Sequence, residues 1–182
     1  VALDNSRLLE GLRLVNAELA EANDATIEGW AQALELRDRE TEGHSRRVTD
    51  MTMRLACAFG MAGAELDPVR PGALRHDSGK MGIPDAIILK PGPLDDEEFA
   101  IMKRHPGIAR DLLIRLPFLA RALDIPYCHH EKWDGSGYPA GLQGREIPLS
   151  ARIVAIADVY DALTSRRVYK DAWSHGETAD NV

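Results

Sequence analysis

Apolar residues recur at helical spacing through most of this chain. Leu8, Leu12, Val15, Leu19 and Ala22 alternate steps of four and three, the seam of a coiled coil, while Asn16, Glu18, Glu21 and Asn23 face elsewhere. Residues 1–28 are therefore expected to form an amphipathic helix. It has two readings, a helix packed on its own domain or a parallel dimeric stalk from an upstream sensor, and the stalk is preferred. From Ile27 to Phe59 the pattern stays helical, with Trp30, Ala33, Leu34, Val48, Met51, Leu55 and Ala58 able to share an inner face. Gly60, Gly63, Pro68, Pro71 and Gly72 then mark a break. A short helix runs from there into Leu74, His76 and Asp77 and ends at Gly79.

Farther on, Asp95 is placed as an N-cap, Glu98 completes a capping box, and Leu94 with Phe99 makes a hydrophobic staple. This helix is expected to close at His105-Pro106, because a proline disfavours the helical region for the residue before it. Gly107–Leu116 is a further helix stopped by Pro117, and Phe118–Asp124 a short one. Ser150 is expected to cap the last clear helix. There Ile153, Val154, Ile156, Ala157, Val159, Tyr160 and Leu163 are apolar nearly all round, so the helix should be central. No strand-period alternation, repeat or low-complexity run interrupts the pattern. The expected fold is all-α, a helical bundle.

Composition adds limits. The 182 residues suit one domain, and 45% hydrophobic with 28% charged residues is the balance of a packed globular protein. A net charge of −7 argues against a general binder of DNA or RNA polymers. Cys57 and Cys128 form no CxxC pair and are expected as small core residues in a reducing, cytoplasmic setting. No apolar run approaches the roughly 18 residues of a membrane span. No signal peptide is evident and the first residue is Val, so a fragment of a longer chain is expected.

The chemistry lies in the polar residues that interrupt these faces. Asp158 sits in the most apolar helix, where an acid is costly unless paired or metal-bound, and Asp161 lies on the same side. His129 and His130 lead into a Gly-rich turn ending in Tyr138-Pro139. Glu40 and His44, four apart, suit a shared metal or an ordinary surface pair. With His76, Asp77 and His105, the inward set is Glu40, His44, His76, Asp77, His105, His129, His130 and Asp158, holding five of the six histidines. Eight donors exceed one ion, so two or three are implied. Mixed imidazole and carboxylate ligation suits Fe or Mn better than a tetrahedral structural zinc. Two ions with a bridging carboxylate are equipment for phosphoester hydrolysis. The GxSxG, GxxxxGK[ST] and GxGxxG signatures are absent from the sequence.

His76-Asp77-Ser78-Gly79-Lys80 resembles the HDxGK signature of HD-superfamily phosphohydrolases, and His129 to Pro139 resembles the second motif of the HD-GYP family. The likeness runs from about Ala33 to Lys170. It implies an HD-type helical bundle at residues 29–182, behind a signalling helix at 1–28, acting as a bacterial cyclic di-GMP phosphodiesterase with two or three Fe or Mn ions. By the same likeness His44, His76, Asp77, His105, His129, His130 and Asp158 are metal ligands, with Glu40 serving a third ion. Asp77 and Lys80 become the catalytic residues, and Lys80, Tyr138, Asp161, Arg167 and Lys170 the groups that meet the dinucleotide. From the residues alone, Arg167 and Lys170 read equally as cations complementing a helix end. Arg75, Ser78 and Val168 depart from the family pattern, and the chain stops short of the family's terminal helices. A homodimer through the N-terminal helix and an upstream sensor or receiver domain complete the expectation. The rivals are a catalytically silent cyclic di-GMP receptor and a hydrolase of another cyclic dinucleotide.

Overall fold

The computed structural model describes residues 2–38, 41, 43–165 and 172–179, so Glu40, Arg167, Val168 and Lys170 lie outside the described residues. Every regular element among the described residues is helical, as expected for an all-α chain. Helix α1 (Ala2–Asp38) crosses residue 28 without interruption. Helix α2 (His44–Ala58) starts after Gly43, whose φ of 74° breaks the single helix expected over Ile27–Phe59. The start of α2 has no side-chain cap of its own. Glu35 of α1 fills that role, accepting from the Gly43 amide at 3.0 Å and the Ser45 amide at 2.6 Å. A carboxylate against a helix N-terminus is favourable, so α1 and α2 are joined at this corner.

Helices α3 (Val69–Ala73), α4 (Asp85–Ile88), α5 (Asp96–Met102), α6 (His105–Leu113), α7 (Asp124–Cys128), α8 (Leu149–Thr164) and α9 (His175–Ala179) follow, with 3₁₀ turns in some of the connections. Helix α8 packs on α2 and α7, and α3 closes against α2 and α7. Their shared core is Val48, Ala56, Val69, Ala73, Ile125, Ile153, Val154 and Ala157. Complete burial of each large member contributes roughly 1.5–3 kcal/mol. That core fixes α2 and α8 side by side and so sets the spacing of His44 and Asp158.

Several local expectations need correction. Asp95 and Glu98 do form the capping box, with both bonds at 2.9 Å. His105, however, opens α6 instead of closing α5. Pro106 falls in the first turn of α6, where its missing N–H costs nothing. Ser150 lies inside α8, which follows Pro148 without a side-chain cap. Residues 117–122 form a 3₁₀ turn, and a true helix, α7, leads into His129. Ile156 and Val159 are 44% and 47% exposed, so one side of α8 faces outward. Cys128 is buried as expected but Cys57 is exposed. Among the described residues no helix is long and apolar enough to cross a membrane.

Candidate metal centre

Five segments that are distant in sequence converge beside the α2–α8 pair. His44 comes from the start of α2, His76 and Asp77 from the turn after α3, and His105 from the start of α6. His129 and His130 follow α7, and Asp158 projects from α8. The turn after Asp77 (Ser78–Gly82) lies directly on α6. A Cβ on Gly79 would stand 1.8 Å from the His105 carbonyl oxygen, so only glycine lets the two backbones meet there.

Four of the imidazoles are anchored in the same way, through Nδ1. Nδ1 of His76 lies 2.8 Å from the Ala73 carbonyl, Nδ1 of His105 lies 2.8 Å from the Met102 carbonyl, and Nδ1 of His129 lies 3.1 Å from the Pro126 carbonyl. Each bond reaches back three residues. Nδ1 of His44 lies 2.8 Å from Asp161 Oδ2. Carbonyls and carboxylates only accept, so each Nδ1 carries hydrogen and each Nε2 turns inward.

The inward atoms form two groups. Asp77, His105, His129 and His130 make one, and His44, His76 and Asp77 the other; within each group the ligand atoms lie within 4.8 Å of one another. Asp77 belongs to both. Its Oδ1 is 3.5 Å from His105 Nε2 and 3.7 Å from His129 Nε2, while its Oδ2 is 3.4 Å from His76 Nε2. Asp158 Oδ1 stands 3.4 Å from His44 Nε2 and 4.0 Å from His76 Nε2.

These residues fit divalent metal. His76 Nε2 is buried without a hydrogen-bond partner among the described residues. His105 Nε2 and His129 Nε2 face each other at 3.4 Å, two electron pairs with a carboxylate beside them. Burial lowers His105 to about 4, and lowers His130 to about 2 with help from the neighbouring histidines, so both imidazoles are neutral donors at ordinary pH. Burial would also lower His76, yet Asp77 and Asp158 outweigh it and hold His76 up at about 9, so that position draws positive charge. Asp77 stays far below the usual carboxylate range: Lys80 and His76 override the opposing effect of burial.

Around this centre, Lys80 Nζ lies 2.7 Å from Asp77 Oδ2 and 3.3 Å from Asp38 Oδ2. Tyr138 stacks on His130 with centroids 4.8 Å apart and planes inclined by 24°. Burial pushes its phenol up to about 12, so the hydroxyl keeps its proton. Asp161 is buried, and its carboxylate is engaged by α2. One oxygen meets His44, and Arg47 reaches both at 2.6 and 3.0 Å. These bonds hold Asp161 at about 2 against the opposing effect of burial. Arg75, one of the departures, is buried and donates to the Pro71 carbonyl.

Two residues passed over in the sequence shape the site. Arg47, one turn after His44, grips Asp161. Glu131, only 6% exposed, accepts from the amides of Ala140 at 2.7 Å, Gly141 at 3.2 Å and Leu142 at 3.0 Å. It ties the loop carrying Tyr138 into a closed turn. A Cβ on Gly137 would lie 2.3 Å from the Lys132 nitrogen, so the turn also depends on that glycine. Arg47 had a signal, its i+3 spacing from His44. Glu131 had none, because amides gathered from nine to eleven residues away leave no periodicity.

The model of the HD domain family matches residues 29–181. A cyclic di-GMP phosphodiesterase of Vibrio cholerae is 44% identical over 96% of this chain and 39% of its own length. A 3'3'-cGAMP-specific phosphodiesterase 2 of the same organism is 46% identical over 91% of this chain and 32% of its own. The chain thus spans well under half of these relatives. Among solved structures, Bd1817, an HDG"Y"P protein from Bdellovibrio bacteriovorus, superposes with a TM-score of 0.58 at 22% identity, covering 76% of this chain and 44% of that one, and shares the fold. Asp77 at the junction of both donor groups, with His76 beside it, and the family match over residues 29–181 lead to one conclusion: this chain belongs to the HD-domain family, and the motifs that build its centre are those of the HD-GYP branch.

Proposed function

We propose that this chain is the catalytic domain of a divalent-metal phosphodiesterase that hydrolyses cyclic di-GMP to the linear dinucleotide, GMP, or both. The observation that carries the reading is Asp77, one carboxylate shared by two sets of inward-facing imidazoles. His105, His129, His130 and Asp77 would hold one ion, and His44, His76, Asp158 and Asp77 a second. Fe and Mn are the preferred metals for this donor set. Bound there, the ions would acidify water and offset charge developing on a phosphodiester.

The remaining steps belong to the protein. Lys80 supplies an ammonium beside Asp77 that neutralises an incoming phosphate. Asp161 acts on His44 and fixes its ring, a positioning role instead of the expected contact with substrate. Tyr138 forms one wall of the site by stacking on His130, and Glu131 holds that wall in place. Arg167 and Lys170 are proposed to meet the guanine edges, whose O6 and N7 acceptors suit cationic side chains. Glu40 is proposed as the donor that adds a third ion. Residues 1–28 are read as a signalling helix that pairs with a second copy, in a cytoplasmic protein with an upstream sensor or receiver domain.

A second substrate has a specific observation in its favour, the 46% identical relative named for 3'3'-cGAMP. A silent receptor is disfavoured by the four oriented imidazoles around Asp77. The test is anaerobic purification, loading with Fe(II) or Mn(II), and turnover of both cyclic dinucleotides followed by chromatography. Hydrolysis of cyclic di-GMP at the faster rate supports the proposal. Preference for 3'3'-cGAMP moves the substrate, and binding without turnover by a loaded centre returns the receptor.

A further inference from the structure

The last two residues of α1 reach into the turn that carries Lys80. Arg37 Nε lies 2.9 Å from Asp85 Oδ1. One terminal nitrogen donates to the carbonyls of Lys80 at 3.1 Å and Met81 at 2.9 Å, and the other to the Ile83 carbonyl at 2.8 Å. A planar five-donor fork suits such a cluster of acceptors, which a lysine could not satisfy at once. Next to it, the Asp38 side chain is only 5% exposed and lies 3.3 Å from Lys80 Nζ. An aspartate at the end of a helix faces the negative pole of the helix dipole, and a buried carboxylate is unfavourable without a cation. Helix α1 therefore holds Lys80 at two points: Arg37 grips its backbone, and Asp38, with Asp77, its ammonium.

We propose that Arg37 and Asp38 are positioning residues for Lys80, so that the placement of α1 sets where the Lys80 ammonium stands relative to Asp77. The inference rests on the reading of Lys80 as a group that serves the phosphodiester. Among the described residues, the carboxylates of Asp38 on α1 and Asp77 in the centre share the Lys80 ammonium. A shift of α1 along or about its axis changes how that ammonium is divided between them. The N-terminal helix then takes part in positioning the site.

The first test needs neither metal nor substrate. Metal-free protein is acylated briefly with an N-hydroxysuccinimide ester, and modification of Lys80 is followed by mass spectrometry, with the exposed Lys103 and Lys132 as internal references. Arg37→Ala and Asp38→Asn should each speed modification of Lys80 several-fold while the reference lysines stay constant. An unchanged Lys80 rate in both variants overturns the inference. Arg37→Lys, which keeps the charge but not the fork, should fall between wild type and alanine, and it serves if Arg37→Ala does not fold.

The second test uses bis(p-nitrophenyl) phosphate and Mn(II)-loaded protein. Arg37→Ala and Asp38→Asn should lower kcat about tenfold or more with KM and metal content little changed, since small misplacements of a working group are costly. In a Lys80→Ala background the same substitutions should cause no further loss, whereas additive losses overturn the inference. This ester is indifferent to base identity. A protein that cleaves it but neither cyclic dinucleotide sinks the proposed function and leaves the role of Arg37 and Asp38 standing.

Discussion

His44 Nδ1 lies 2.8 Å from Asp161 Oδ2, and that bond turns the other ring nitrogen of His44 toward Asp158 at 3.4 Å. A carboxylate in this position fixes the tautomer and the orientation of the ring. Asp161→Asn should therefore weaken metal binding by roughly 10–100-fold. The measurement is metal retained at limiting free ion, beside KM for the substrate. A raised KM with full metal retention would restore Asp161 to the substrate-binding role expected from the sequence.

Asp77 is the point at which the two donor groups join, and no other described residue belongs to both. Asp77→Ala should abolish both metal content and turnover. Elemental analysis of the purified variant decides the matter. A full complement of metal in it would be incompatible with a shared carboxylate.

Glu131 accepts three backbone N–H groups, and glutamine at that position would turn an amide NH₂ toward donors. Glu131→Gln should loosen the loop that carries Tyr138, at a cost of about 1–3 kcal/mol. Amide hydrogen exchange at Ala140, Gly141 and Leu142 should accelerate, and KM should rise more than kcat falls. Unchanged protection at those amides would remove Glu131 from the site.

Removing the ions should lower thermal stability, because the donors are preorganised in the folded state and scattered in the unfolded one. Free ion at a thousandfold over Kd stabilises by about 4 kcal/mol per site. Melting temperature should drop on chelation and recover on addition of Mn(II). Titration of that recovery also counts ions: Glu40→Gln should lose one equivalent of three, or none if Glu40 merely orients His44.

Much of the centre was legible because its chemistry is carried by residue types that are rare in helices without a reason. His76-Asp77, His129-His130 and an acid at Asp158 stand out against an apolar background. What holds them was not legible. The carbonyls of Ala73, Met102 and Pro126 that orient three histidines belong to the backbone and leave no mark in residue type. The grip of Arg37 on residues 80–83 spans more than forty positions, and no local pattern encodes it. Fold class followed from the 3.6-residue period, whereas helix ends were misjudged where a neighbouring segment supplied the cap, as Glu35 does for α2.

The exposed stripe of α1 makes a further prediction. Leu8, Leu12, Val15 and Leu19 are between 58% and 71% exposed, and Leu9 and Leu14 are as open. A second copy pairing along this seam would cover them. Analytical ultracentrifugation should show a dimer, and Leu12→Asp with Leu19→Asp should yield monomers. Monomeric behaviour of the unaltered chain at micromolar concentration would leave the helix to another partner.

Residues 5–23 of α1 are exposed at every position, a rod of about 28 Å at roughly 1.5 Å per residue. With no packed face, this stretch draws its stability from local propensity alone, whereas most helical stability in proteins comes from tertiary packing. Alone, such a rod would transmit little torque. Sheathed by a second copy it becomes stiff, and a twist applied at Leu8 can arrive at Arg37 without being absorbed on the way. Pairing would then act as a clutch: two joined stalks drive the Lys80 turns, and a single one spins free.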